Sequence, residues 1–208
     1  MTASTNTARK PFTSLTAVAM PINQANVDTD QIIPARYLSQ PPDAMPPFLF
    51  QDARYREDGT PRPEFVMNRS EFKAAEIIVG GRNFACGSSR EAAVWVIKGN
   101  GFKAVIAPSF GDIFYNNCFQ NGILPIRLPE ARVNELLRFL MELPGASVTV
   151  DLAQQVVTGP DGKADKFEID PFRKECLLKG IDDIELTLTY ADQIAAFEKR
   201  SKTAVVEA

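Results

Sequence analysis

Gly87-Ser88-Ser89-Arg90 puts a flexible backbone, two hydroxyls and a guanidinium into four consecutive residues. Glu91 stands three residues after Ser88, the capping-box spacing that opens a helix. A helix N-terminus leaves backbone N–H groups without partners and carries partial positive charge, so it holds anions. An arginine fork fits a carboxylate or phosphate through two parallel hydrogen bonds. Gly87 lets a ligand come close to the main chain. The chemistry expected is an anion seat with hydroxyls beside it. A plain capped helix, whose serines serve only its own backbone, accounts for the four residues equally well.

The elements that must hold this seat are a strand before it and a helix and strand after it. Residues 76–79 form a β-rich run that stops at Gly80-Gly81, and 103–107 form a second that stops at Pro108. Between them Ala92, Trp95, Val96 and Gly99 recur at helical spacing, with Ala93 and Ile97 beside them. The Gly99-Asn100-Gly101 cluster ends that helix, with Lys98 in its last turn, where a cation suits the dipole.

Upstream, 15–20 reads as a strand closed by Pro21, and Asp28 or Thr29 caps a short helix that Pro34 interrupts. Residues 39–63 are broken by repeated prolines, leave room only for a short helix near 48–54, and read as a functional or mobile loop. Downstream, Ser109 lies three residues before Asp112, a second capping-box spacing, ahead of a helix over 110–120 with Phe110, Ile113, Phe114 and Phe119 as its core stripe. Tyr115, Asn116 and Asn117 are left to face solvent or a partner chain. A strand over 123–128 and a helix from Pro129 to Leu140 follow. Short strands are expected over 148–152, 155–158 and 166–169, the last two joined by a turn at 159–162. The remainder reads as a helix over 171–178, an alternating or buried segment over 184–188, a helix over 190–199, and loose tails at 1–10 and 201–208. The mixture is α/β, in a single domain over residues 1–208.

Composition narrows the function classes. The 208 residues carry 26 acids against 23 bases, without a long run of either sign, so nucleic-acid binding has no support. The apolar runs are too short to span a membrane, and the N-terminus lacks a secretory pattern. The chain has no histidine, and its three widely spaced cysteines suit a reduced cytoplasm. Their spacing makes it a poor candidate to hold a metal or iron–sulfur cluster alone.

Four longer strings carry a resemblance: NVDTDQIIPARYL, FLFQDARYREDGTPRPEFVMN, NFACGSSREAAVW and APSFGDIFYNNCFQNGILPI. Together, over about residues 15–190, they resemble the bacterial 3-isopropylmalate dehydratase small subunits of the aconitase superfamily. The resemblance implies the swivelling β/β/α fold of that superfamily. It also implies a hydro-lyase of leucine biosynthesis that interconverts 2-isopropylmalate and 3-isopropylmalate through an alkene. A [4Fe–4S] cluster that binds the hydroxyl is then expected on a separate large subunit, with no metal on this chain. Ser88 is implied as the base, Ser89, Arg90 and Gly87 as substrate-binding residues with Arg90 the carboxylate clamp, Arg36 as a further cation facing substrate, and Asp30 as a supporting acid. Position 92 departs from the pattern, carrying alanine where the family usually has histidine. That departure keeps open a related hydro-lyase acting on another branched or methylated dicarboxylate. A non-catalytic anion-binding or assembly partner is the remaining alternative.

Overall fold

The computed structural model describes residues 9–88 and 90–206, with backbone alone over 201–206. The expected loose tails therefore fall largely outside it, although the last helix continues through 201–206.

Seven strands form one sheet in the order β4-β3-β2-β1-β5-β6-β7 among the described residues. β1 (Ser14–Ile22) pairs in parallel with β2 (Ala75–Gly80), β2 with β3 (Ala104–Ala107), and β3 with β4 (Leu124–Arg127). On its other side β1 pairs antiparallel with β5 (Ser147–Asp151), followed by β6 (Val156–Thr158) and β7 (Ala164–Lys166).

Strand alternation assigns residues to two cores. Ala19, Ile77, Val79 and Ile106 face one side, with Val133, Leu136, Leu137 and Leu140 of a helix over Glu130–Glu142. Met20, Ile22, Ile78 and Val105 face the other, with the helices over Glu91–Gly99 and Asp112–Gln120 and much of the proline-rich segment. Successive side chains of a strand point to opposite faces, so each buried apolar run serves both layers.

In chain order the helices are α1 (Thr29–Ile32), α2 (Gln51–Arg54), α3 (Glu91–Gly99), α4 (Asp112–Gln120), α5 (Glu130–Glu142), α6 (Pro171–Lys179), α7 (Asp183–Leu188) and α8 (Ala191–Val206). The proline-rich segment holds 3₁₀ turns at Pro42–Ala44 and Pro46–Phe48 and is tied to its neighbours near its middle. Asn100 Nδ2 donates to the Pro46 carbonyl at 2.6 Å, and Phe50 N–H donates to the Ile32 carbonyl at 2.8 Å. No described helix is long and apolar enough to cross a membrane.

Several expectations change. β1 continues past Pro21 to Ile22, because β5 pairs only with Ser14–Val18. At Pro21 the strand has a neighbour on one side only, so the missing N–H breaks no second ladder. The third short strand begins at Ala164, opposite Thr158, since the turn at 159–162 closes at once through Gly162 N–H to Gly159 O. Residues 184–188 belong to α7, where Asp182 and Glu185 form a capping box. Ile113 is 48% exposed, so the α4 stripe runs through Phe114, Cys118 and Phe119.

Candidate functional site at the carboxyl edge of the parallel strands

β1, β2 and β3 all run into loops at one edge of the sheet, where open parallel sheets place their ligands. The loop after β2 is laced into a groove between the other two. On one side, Asn26 N–H donates to Arg82 O at 2.8 Å, Cys86 N–H to Val27 O at 3.2 Å and Thr29 N–H to Cys86 O at 3.1 Å. On the other, Phe84 N–H donates to Ser109 O at 3.0 Å and Gly111 N–H to Phe84 O at 2.9 Å. The approach on that side is so close that a Cβ on Gly111 would lie 2.3 Å from the Ala85 carbonyl oxygen.

This lacing overturns both serine caps. α3 starts at Glu91, with Arg90 as its N-cap in extended geometry (φ −126°, ψ 113°) and no side-chain cap bond. Ser88 lies outside the helix, its carbonyl accepting from Thr29 Oγ1 at 2.7 Å. Ser109 does not cap α4 either: Gly111 occupies that position, and Ser109 Oγ accepts from Asn83 N–H at 2.9 Å. At Ser109 the loop-to-loop bond takes the hydroxyl that a local cap would have used, whereas at Ser88 it holds the carbonyl and keeps the residue outside the helix. The Asp28 cap stands as expected, its carboxylate accepting from Gln31 N–H at 2.8 Å while Gln31 Oε1 accepts from Asp28 N–H at 3.0 Å.

The structure brings Gly87, Ser88, Arg90 and Asp30 together. Gly87 turns the chain at φ +87°, while a Cβ there would meet only Asp28 Cβ at 3.6 Å. Backbone conformation, not crowding, asks for glycine. Ser88 is exposed and its hydroxyl has no hydrogen-bond partner among the described residues. Arg90 is half-buried and its Nη1 donates to Asp30 Oδ1. Asp30 Oδ1 also accepts from Ala35 N–H at 3.1 Å. The hydrogen bond from Arg90, reinforced by its charge, holds the Asp30 carboxyl below the usual carboxylate range. The Glu91 and Ala92 N–H groups at the start of α3 have no partner among the described residues, the pattern that suits an anion.

Two further expected residues stand differently. The Arg36 fork is already filled by Asp52, with Nη1 3.0 Å from one carboxylate oxygen and Nη2 on the other, and its guanidinium lies 4.7 Å from the Tyr37 ring centre. It therefore does not join the Ser88 cluster in this conformation. Ser89 lies outside the described residues. Thr29 was not legible as a site residue in the sequence: it is 2% exposed and reaches Ser88 across 59 positions.

Comparison with known proteins bears directly on this arrangement. Residues 9–131 match the aconitase C-terminal domain model, and residues 135–171 match LeuD_N. The 3-isopropylmalate dehydratase small subunit of Paramagnetospirillum magneticum is 54% identical over 193 residues, 92% of this chain and 96% of that one. The chain belongs to the 3-isopropylmalate dehydratase small-subunit family. Another small subunit, from Roseobacter denitrificans, is 49% identical over 93% of this chain and 96% of its own length. A crystal structure of 3-isopropylmalate dehydratase from Methanocaldococcus jannaschii covers 90% of this chain and 99% of that one, with 29% identity and a TM-score of 0.60. The fold is thus the swivelling β/β/α class of the aconitase superfamily.

Within this small-subunit fold, Ala92 is buried in the core on the first turn of α3, one residue beyond exposed Glu91. The residues present do not fit an iron–sulfur cluster. Cys118 is fully buried on α4, Cys176 is buried on α6, and Cys86 sits in the laced loop. Among the described residues no group of three histidine, cysteine or acidic side chains is placed to hold a metal.

Proposed function

We propose that this chain is the small subunit of a two-chain hydro-lyase that interconverts 2-isopropylmalate and 3-isopropylmalate by dehydration and rehydration in leucine biosynthesis. In this reading the whole chain is one swivelling domain. A large subunit would hold the [4Fe–4S] cluster and would supply Lewis-acid chemistry toward the substrate hydroxyl, with the pair working in the cytoplasm. The observation that carries the reading is the exposed Ser88 beside an Asp30-held Arg90, in a chain 54% identical to a named small subunit along nearly its whole length.

Ser88 Oγ takes the proton from the carbon next to a substrate carboxylate and returns it on rehydration. A serine hydroxyl is a poor base unless its alkoxide is stabilised, and the free N–H groups at the head of α3 with the Arg90 guanidinium are suited to that task. Arg90 clamps a substrate carboxylate, oriented by Asp30; Gly87 gives the loop its turn, and Ser89 hydrogen-bonds substrate. Arg36 takes the second carboxylate once it leaves Asp52. The Ser88 face is exposed, as it must be for a companion polypeptide to form the opposite wall.

The test is co-expression with the large chain and turnover of a panel of hydroxy dicarboxylates. Ser88→Ala should lower kcat by about 100-fold or more at unchanged folding. Arg90→Lys keeps charge but loses the fork and should mainly raise KM. Normal turnover in Ser88→Ala overturns the base assignment. Preference for another branched dicarboxylate would leave the hydro-lyase and replace its substrate.

A further inference from the structure

A cavity of about 600 Å³ opens where β1, β3 and β4 begin, with Phe12, Lys103 and Ile123 in its wall. Because these strands are parallel with β2, their starts lie at the sheet edge opposite the one that the Ser88 loop leaves. The wall carries four cations, Arg9, Lys10, Lys98 and Lys103, and no acid. That is a strong local bias in a chain whose net charge is −3. A cleft lined by one sign of charge concentrates the opposite ion.

Acids of the chain itself do not neutralise this wall. Lys103 pairs with Glu76, and Glu91 accepts from the wall residue Asn121 at 3.0 Å. The side chains of Arg9, Lys10 and Lys98 have neither an ion pair nor a hydrogen bond among the described residues. Arg9 and Lys98 also stand close enough to repel each other. Loss of hydration, and then the Arg9 charge, holds the Lys98 ammonium below its ordinary value.

The segment that carries Arg9 is pinned by its backbone. Phe12 N–H donates to Leu177 O at 2.9 Å. Residues 9–11 pass so close to Gly180 that a Cβ there would lie 2.5 Å from the Arg9 carbonyl oxygen. The Arg9 side chain then lies over Gly122, where an added Cβ would meet Arg9 Cδ at 3.6 Å. The fold thus holds like charges together without an acid to pair them, and a bound anion would relieve their repulsion.

We propose that this cavity is a second anion site, where Arg9 and Lys98 hold the phosphate group of a free phosphate ion or a small phosphomonoester. More than one unpaired cation favours a multivalent anion, and a phosphate group carries about 1.5 to 2 negative charges at neutral pH. Arg9 offers its oxygens a planar fork and Lys98 a point charge. The site stands apart from the Ser88 seat and does not depend on the chemistry proposed there.

The test is calorimetric titration of the full chain with inorganic phosphate and with methyl phosphate, at fixed ionic strength. Arg9→Gln and Lys98→Gln should each weaken phosphate binding about 10-fold or more, while Arg9→Lys retains most of it. Arg90→Gln, which disables the Ser88 seat, should leave this binding within about twofold of wild type. Phosphate should raise the melting temperature of wild type and of Arg90→Gln, but not of Lys98→Gln. Methyl phosphate that binds equally well assigns the site to a phosphate carried on a small molecule, and one that fails to bind assigns it to the free ion. Wild-type affinity in Arg9→Gln and Lys98→Gln, or loss of binding in Arg90→Gln alone, overturns the site. So does a wild-type chain that binds no phosphate in the millimolar range.

Discussion

Thr29 Oγ1 donates to the main-chain carbonyl of Ser88 at 2.7 Å, and Thr29 N–H donates two residues earlier, to Cys86 O at 3.1 Å. The loop that carries the proposed base is thus held from outside by a buried hydroxyl, not by the helix it leads into. A threonine only 2% exposed needs its hydroxyl satisfied, so the bond fixes both partners.

Thr29→Val keeps the shape and removes the donor. Ser88 should drift, with kcat falling about 10- to 100-fold while KM stays near wild type, because misplacement of about 1 Å costs on that scale. Thr29→Ser should restore most of the rate. Steady-state kinetics of the two variants check this, and failure of serine to rescue would argue against positioning.

Asp30 predicts a pH dependence. Its carboxyl binds a proton less readily folded, beside Arg90, than unfolded. The unfolded chain therefore takes up the proton first as pH falls. The contribution of the pair is present above the unperturbed carboxylate range and is lost as pH drops through the lowered folded value. Melting temperature followed from pH 7 into the acid range should fall less steeply in Asp30→Asn than in wild type. The same variant should raise KM at neutral pH, because Arg90 loses its partner.

Gly111→Ala should loosen the laced loop. The added Cβ lies 2.3 Å from Ala85 O, which is backbone and cannot rotate away. Overpacking of this kind costs about 1–3 kcal/mol. Urea denaturation should show that loss, and turnover should fall with it, since residue 85 lies only three positions before Ser88.

Arg132 tests stability away from the site. On α5, 7% exposed, it donates to both oxygens of Asp161 at 2.7 and 2.9 Å and to Asp165 at 2.6 Å, pinning the β6–β7 hairpin. Arg132→Ala takes the cation from the largely buried Asp161 and the part-buried Asp165 and should cost about 3 kcal/mol. At temperatures where the variant remains folded, kcat should stay at the wild-type value.

Local sequence determined much of this molecule. The apolar runs of β1 to β5, the α5 stripe of Val133, Leu136, Leu137 and Leu140, and the Asp28 cap follow from period and from groups within a few residues of one another. The GSSRE string already marked where the proposed anion seat would lie, since its residue types stand together in the chain. The tertiary structure decided what those residues bond to. Ser88 and Ser109 had the spacing of caps, but Thr29 and Asn83, 59 and 26 positions away, claimed the Ser88 carbonyl and the Ser109 hydroxyl. Arg36 had the charge for a substrate, but Asp52 filled its fork. Spacing along a chain reports what can bond locally, whereas a hydrogen bond between distant segments depends on which loops the sheet edge brings side by side.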